Sequence, residues 1–294
     1  MNKKKLAPVI AVLNMKGGVG KTTISAHVFR LMFRKLRAGT LILDLDPQFN
    51  LSQALFTRKQ YEKLKMVGKT IFSAMEPPPP GGLFEIKTSS EPPPRPSEIG
   101  EVLRYFGEKE SPTETLTVVP GDFGLVKYNL MEDNRKLKAV LQRFKTFIEN
   151  ARNDFKIICI DCNPSSSFLT LCALHACSHI LVPVRPDRYS VLGLELLSDF
   201  VDSIPSIDPK PNIIIILNGV PRKNYTPTVE VELRDHAVFG PMTLANPVYQ
   251  SNILIASPDY TGFATDKPVP YKSLLTSELS NVVDELSKKL GLTL

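Results

Sequence analysis

Val9-Ile10-Ala11-Val12-Leu13, followed by Lys16-Gly17-Gly18-Val19-Gly20-Lys21-Thr22-Thr23, is the stretch that decides the fold of this chain. An apolar strand runs into three glycines and then into a helical pattern, the context that a phosphate-cradling loop requires. Glycines let backbone N–H groups turn inward toward an anion with no Cβ in the way. Lys21 would reach the β- and γ-phosphates, and the Thr22 hydroxyl would ligate Mg2+. The helix that follows aims its positive end at the same place. The plain alternative is a glycine-rich strand-to-helix turn. The generic pattern G-x-x-x-x-G-K-[ST] fails at its first position, which falls on Met15; a second lysine, Lys16, precedes the paired glycines instead.

Composition bounds the rest. With 294 residues, 43% hydrophobic and 22% charged, the chain suits one large α/β domain over 1–294. Its 36 basic residues against 30 acidic ones give +6, an excess that permits nucleic-acid or anionic-surface binding without establishing it. No apolar run approaches the ~20 residues that span a bilayer, so no integral membrane association is expected. Lys3-Lys4-Lys5 is followed by Pro8 and the first strand rather than by a long apolar stretch, so it does not read as a secretory signal. Four cysteines in a chain this long point to a reducing, cytoplasmic setting.

Apolar, β-branched runs recur with helical patterns between them. Strands are expected at Val9–Leu13, Thr40–Leu45, Leu116–Val119, Ile157–Ile160, His179–Val184 and Ile213–Leu217. Several are apolar on both faces, as parallel strands covered by helices should be. Helices are expected at about 22–36, 130–150, 165–177, 190–203 and 272–290. This alternation indicates an α/β fold with a doubly wound, mostly parallel sheet, whose ligands sit outside the carboxyl ends of the strands. Prolines 77–80, 92–94 and 96 exclude helix and central strand, so residues 76–97 read as a surface insertion with polyproline II character. It is either a semi-rigid spacer or a ligand for an aromatic-lined groove. With the phosphate loop starting near residue 15, no helix-turn-helix domain is expected ahead of it.

Acids stand at the right strand ends. Leu41-Ile42-Leu43-Asp44-Leu45-Asp46-Pro47-Gln48 ends in two carboxylates spaced by two, on one face of an extended chain. Such a pair repels itself unless a cation or donors compensate; an acidic turn is the alternative. Ile157-Ile158-Cys159-Ile160-Asp161 is an apolar strand ending in Asp, the usual second magnesium determinant of P-loop enzymes.

Taken in order, K-G-G-V-G-K-T-T, L-D-L-D-P-Q, I-D-C-N-P-S and P-V-R-P-D-R-Y-S-V-L-G-L resemble the ParA/Soj family of partition ATPases. The likeness extends through Ile213–Asn218 to Tyr271–Leu279 and omits about residues 58–115. It implies a deviant Walker A P-loop fold that binds ATP with Mg2+, closes as a nucleotide-sandwich homodimer and hydrolyses ATP slowly. The resemblance implies Gly17, Gly18, Val19, Gly20, Lys21, Thr22 and Thr23 on the phosphates, Thr22 and Asp161 on Mg2+, and Asp44 supporting the metal shell. It also implies Asp46 positioning the attacking water, Asn218 on adenine, and Lys16 crossing to the partner's nucleotide as a catalytic lysine.

The chain departs from the family at Asn163, where a proline usually stands, and at 245–256, which carries no Arg or Lys. Non-specific DNA affinity rests on such cations, so Arg222 and Lys223 become alternative contacts. The implied partners are non-specific DNA and a ParB-like stimulating protein. The functional expectation is a Mg2+-dependent ATPase for plasmid or chromosome partition, nucleoid-associated where DNA is bound. Alternatives are a nucleotide-gated interaction protein and a MinD-like membrane-associated ATPase using the apolar stripe from Leu274 to Leu290. That stripe also suits plain core packing. Cys159 and Cys162 fall on opposite strand faces, and the Cys172–His179 group reads as helix packing, so neither suggests a metal site.

Overall fold

Apolar residues on both faces of the core strands force a layered arrangement. The computed structural model describes residues 6–79, 81–255 and 260–292. Its strands are β1 Val9–Val12, β2 Thr40–Asp44, β3 Glu101–Gly107, β4 Pro112–Val119, β5 Ile157–Asp161, β6 His179–Val184, β7 Asn212–Val220 and β8 Val248–Tyr249. Its helices are α1 Lys21–Leu36, α2 Asn50–Leu55, α3 Arg58–Met66, α4 Phe72–Met75, α5 Pro96–Ile99, α6 Asn134–Asp154, α7 Phe168–Ala176, α8 Ser190–Asp202, α9 Thr228–Asp235 and α10 Lys272–Lys289. The strands form one sheet in the order β3-β4-β2-β5-β1-β6-β7-β8. Only the β3–β4 pair is antiparallel among the described strands.

Alternation along β1 splits the core in two. Val9, Ala11 and Leu13 face a cluster that includes Phe144 and Phe147 of α6 and Leu197 of α8. Ile10 and Val12 face Phe29 and Met32 of α1 and Val283 of α10. Two helical layers therefore cover a buried parallel sheet. Most of the apolar stripe of α10 is spent here: Leu275, Leu279, Val282, Val283, Leu286 and Leu290 are buried while Leu274 stays exposed, and α10 packs on α1.

The sequence pattern foresees the central strands and the helices α1, α6, α7, α8 and α10. It does not foresee β3, a half-buried edge strand, the two-residue β8, nor α2–α5 and α9. The proline-rich stretch is pinned rather than loose. Ile86 is buried in the first cluster, the Lys87 amide donates to Glu76 (3.1 Å), and Arg143 of α6 donates to the Glu91 carbonyl (2.7 Å). Pro96 opens α5 at its first position, where a missing N–H is harmless.

Candidate nucleotide site

The loop between β1 and α1 is held from two sides. Asn14 donates to the Pro183 carbonyl of β6 (2.8 Å) and accepts the Lys16 amide (2.9 Å). Asn218 of β7, itself buried, donates to the Val19 carbonyl (2.7 Å). Gly20 has φ +90°, and a Cβ there would lie 2.1 Å from Asn218 Nδ2, so any other residue would be strained and would have to displace the Asn218 amide. Gly17 and Gly18 face open space, while Val19 is buried and anchors the loop. No side chain caps α1, which leaves its first N–H groups free for an acceptor from outside.

These groups open onto a cavity of about 700 Å3 that Thr22, Thr23 and Asp46 also line. Its far wall comes from Ile253–Ile255, Tyr260 and Lys267. Lys21 is buried and donates from Nζ to the carbonyls of Asn14 (3.1 Å) and Lys16 (3.0 Å). Burial lowers its pKa below the ordinary lysine value, with Asp161 the strongest opposing charge.

Asp44 and Asp161 end neighbouring strands and stand opposite each other in register. Asp44 Oδ2 accepts both the amide (2.8 Å) and the hydroxyl (2.6 Å) of Ser52. Asp161 Oδ1 accepts the Ser25 hydroxyl (2.8 Å). Its Oδ2 is buried with no donor at hydrogen-bonding geometry, although the Thr22 hydroxyl faces the carboxylate and lowers its pKa. Burial drives both carboxyls well above the ordinary range, and for Asp44 the neighbouring Asp161 adds to it. An orphaned acid oxygen beside a threonine hydroxyl suits a small hard cation, which takes one or two carboxylates and keeps waters. Asp46 lies past the strand end, buried to 6% exposure, with Oδ1 accepting the Gln48 amide (2.9 Å). Burial raises its pKa too. The acids thus separate: Asp46 lines the cavity, while Asp44 faces inward to Ser52.

Lys16 is half exposed, and its Nζ meets Asp187 Oδ2 at 2.5 Å within the same chain. Burial alone would raise Asp187, but hydrogen bonds from Lys16, the Tyr189 amide and Ser190, together with the Lys16 charge, outweigh it and hold the carboxyl low. Asn163 donates to Ser165 Oγ (2.6 Å) and accepts from the Thr170 hydroxyl (3.3 Å), so it ties the turn after β5 to α7. Arg222 pairs with both carboxylate oxygens of Glu278 and covers the Tyr249 ring, which leaves Lys223 the freer of the two. Cys159 and Cys162 face opposite core clusters. No group of three or more potential metal-ligating His, Cys, Asp or Glu occurs among the described residues. Sequence reasoning missed Asn14, Ser25 and Ser52. Asn14 alone carried a signal, a polar residue directly after a buried strand.

Sheet order, loop and strand-end acids together define an α/β P-loop protein. The chain matches the AAA domain family over residues 7–214 and belongs to it, as a ParA-type P-loop ATPase. It is 26% identical to the chromosome partitioning protein ParA of Myxococcus xanthus, covering 78% of this chain and 71% of that one. It is likewise 26% identical to a ParA family protein of Chlamydia muridarum, covering 68% and 67%. The fold is similar to that of cobyrinic acid a,c-diamide synthase from Mycobacterium smegmatis, solved with an ATP analogue and magnesium (TM-score 0.64, 21% identity, 96% and 95% covered). It is also similar to a Borrelia burgdorferi plasmid partition protein bound to AMPPNP (TM-score 0.61, 17% identity, 97% and 100% covered). No described helix is long and apolar enough to cross a membrane.

Proposed function

We propose that this chain is a Mg2+-dependent ATPase that works as a nucleotide-switched homodimer to position a DNA cargo, a plasmid or a chromosomal region. The supporting observation is the convergence of uncapped α1 amides, Lys21, Thr22 and Asp46 on one cavity. Bound Mg2+ would neutralise charge on the β- and γ-phosphate oxygens, held by Thr22 and Asp161 with Asp44 behind. Amides of Gly17 to Thr23 would orient the phosphates. Lys21 would exchange its two carbonyl partners for phosphate oxygens. Asp46 would align a water for in-line attack, since phosphoryl transfer needs mainly positioning and charge. Asn218 braces the loop; its adenine contact rests on the resemblance. Lys16 would leave Asp187 for the second protomer's nucleotide, and a ParB-like partner would stimulate turnover.

Asp46→Ala should bind ATP within a few-fold of wild type while turnover falls by roughly 10²–10⁴; unchanged turnover removes Asp46 from the mechanism. Lys16→Ala should keep ATP binding and lose the dependence of turnover on protein concentration. A nucleotide-gated interaction protein with little DNA affinity is the second reading, favoured by the absence of Arg and Lys from 245–256. The burial of the α10 stripe gives no support to a membrane-bound form.

A further inference from the structure

We propose that the outward face of α3 grips the phosphate backbone of duplex DNA. This rests on the reading of the protein as a DNA-positioning ATPase and moves the contact away from the basic-poor segment 245–256. Residues 58–69 carry five cations, Arg58, Lys59, Lys63, Lys65 and Lys69, against one acid, Glu62. Tyr61 and Leu64 face inward, so Lys59 and Lys63 share the outward face, one turn apart. One turn is about 5.4 Å, a length over which a duplex presents about three phosphate charges. Lys65 is bound to Asp122 (3.0 Å). Arg58 touches only Glu62 (2.7 Å) from a side chain 92% exposed, and such exposed pairs yield readily to a phosphate. Lys59, Lys63 and Lys69 have no ion pair with any described residue. The helix is set by a full capping box between Thr57 and Gln60, which presents these cations on a fixed backbone.

The same helix is coupled to the nucleotide site. Its Tyr61 ring stacks on Phe49 (5.0 Å between centroids, 1° between planes). The Phe49 amide donates to the Asp46 carbonyl (2.8 Å), and the Tyr61 hydroxyl donates to the Gly121 carbonyl (3.1 Å). These contacts give a route by which a nucleotide-dependent shift of the Asp46 loop would reach α3. DNA suits this face better than a lipid surface: the exposed apolar residues, Met66 and Val67, sit at the helix end, whereas interfacial binding needs an apolar stripe along a face.

The test is fluorescence anisotropy of a labelled duplex of arbitrary sequence with the full chain, in ATP and in ADP, over a salt series. Lys59→Ala/Lys63→Ala should reduce the log–log salt slope by about 1.8 per protomer, about 0.9 per lost phosphate contact. Basal ATP turnover measured without DNA should stay unchanged, since neither lysine lines the nucleotide cavity. Tyr61→Leu should shrink the difference in duplex affinity between ATP and ADP. Wild-type affinity and slope in the double variant would overturn the assignment of α3. No binding by wild type at low salt in ATP would overturn the DNA reading itself. Binding to phosphatidylglycerol vesicles that Met66→Ser abolishes, without DNA binding, would make α3 a lipid face and overturn the proposal.

Discussion

Gly20 shows how one backbone angle ties the phosphate loop to a strand 198 positions further on, since Asn218 occupies the space that its Cβ would need. Gly20→Ala meets two obstacles. A left-handed φ costs a non-glycine residue about 1–3 kcal/mol, and the Asn218 amide must move. We expect ATP affinity to fall at least about tenfold, the equivalent of 1.4 kcal/mol, read by calorimetry. Asn218→Ala removes the second obstacle and leaves the first. The Gly20→Ala change should therefore do less harm in an Asn218→Ala background than in wild type. Equal penalties in both backgrounds would mean that the loop, and not its brace, carries the whole effect.

Between α4 and the 3₁₀ turn Phe123–Asn129 lies the one fully buried ion pair among the described residues. Lys127 Nζ meets Glu76 Oε1 at 2.7 Å, the Tyr128 hydroxyl donates to the same oxygen (2.9 Å), and both charged side chains are at most 1% exposed. This cluster fixes the root of the proline-rich segment, because Glu76 also accepts the Lys87 amide. Removing one partner of such a pair strands the other charge and typically costs about 3–5 kcal/mol. Lys127→Met should thus destabilise the protein by that order in chemical denaturation and expose residues 77–92 to protease. Lys127→Met with Glu76→Gln should recover much of the loss. Nothing in the sequence announces this pair, since its members lie 51 positions apart and either could be an ordinary surface charge. The same limit hides the Ser52 grip on Asp44 and the Ser25 grip on Asp161, which depend on how helices seat against the sheet. What the sequence does carry is periodic. Doubly apolar runs read as central strands, and a glycine-rich turn between strand and helix reads as an anion loop. The edge strand β3 escapes because its half-buried alternation resembles any amphipathic stretch, and α3 escapes because it is short and mostly polar.

Stability of the whole molecule should follow the buried acids. Asp44 and Asp161 hold their protons more tightly folded than unfolded, through burial. Their contribution is fully present below the unfolded carboxyl pKa near 3.9 and is lost as pH rises toward the folded values. His27, buried with Nδ1 accepting the Ala264 amide (3.3 Å), runs the other way. Burial pulls it down to about 4, so its contribution is present above about 6.5 and is lost as pH falls toward 4. Between those limits the effects oppose; above 6.5 the His27 contribution levels off and the loss at the two acids dominates. Each proton held only in the folded state costs about 1.4 kcal/mol per pH unit as pH rises. Without divalent metal, the chain should therefore be less stable at pH 8 than at 6.5. Asp44→Asn keeps an oxygen for Ser52 and removes the ionisation, so it should flatten this loss by up to about 2 kcal/mol in urea denaturation. Mg2+ with ATP should oppose the same loss in wild type, because a cation at the acids favours their charged forms. A pH profile identical in wild type and Asp44→Asn would show that Asp44 is ionised in the folded, metal-free protein. Ser52 and its neighbours would then have to satisfy a buried negative charge alone.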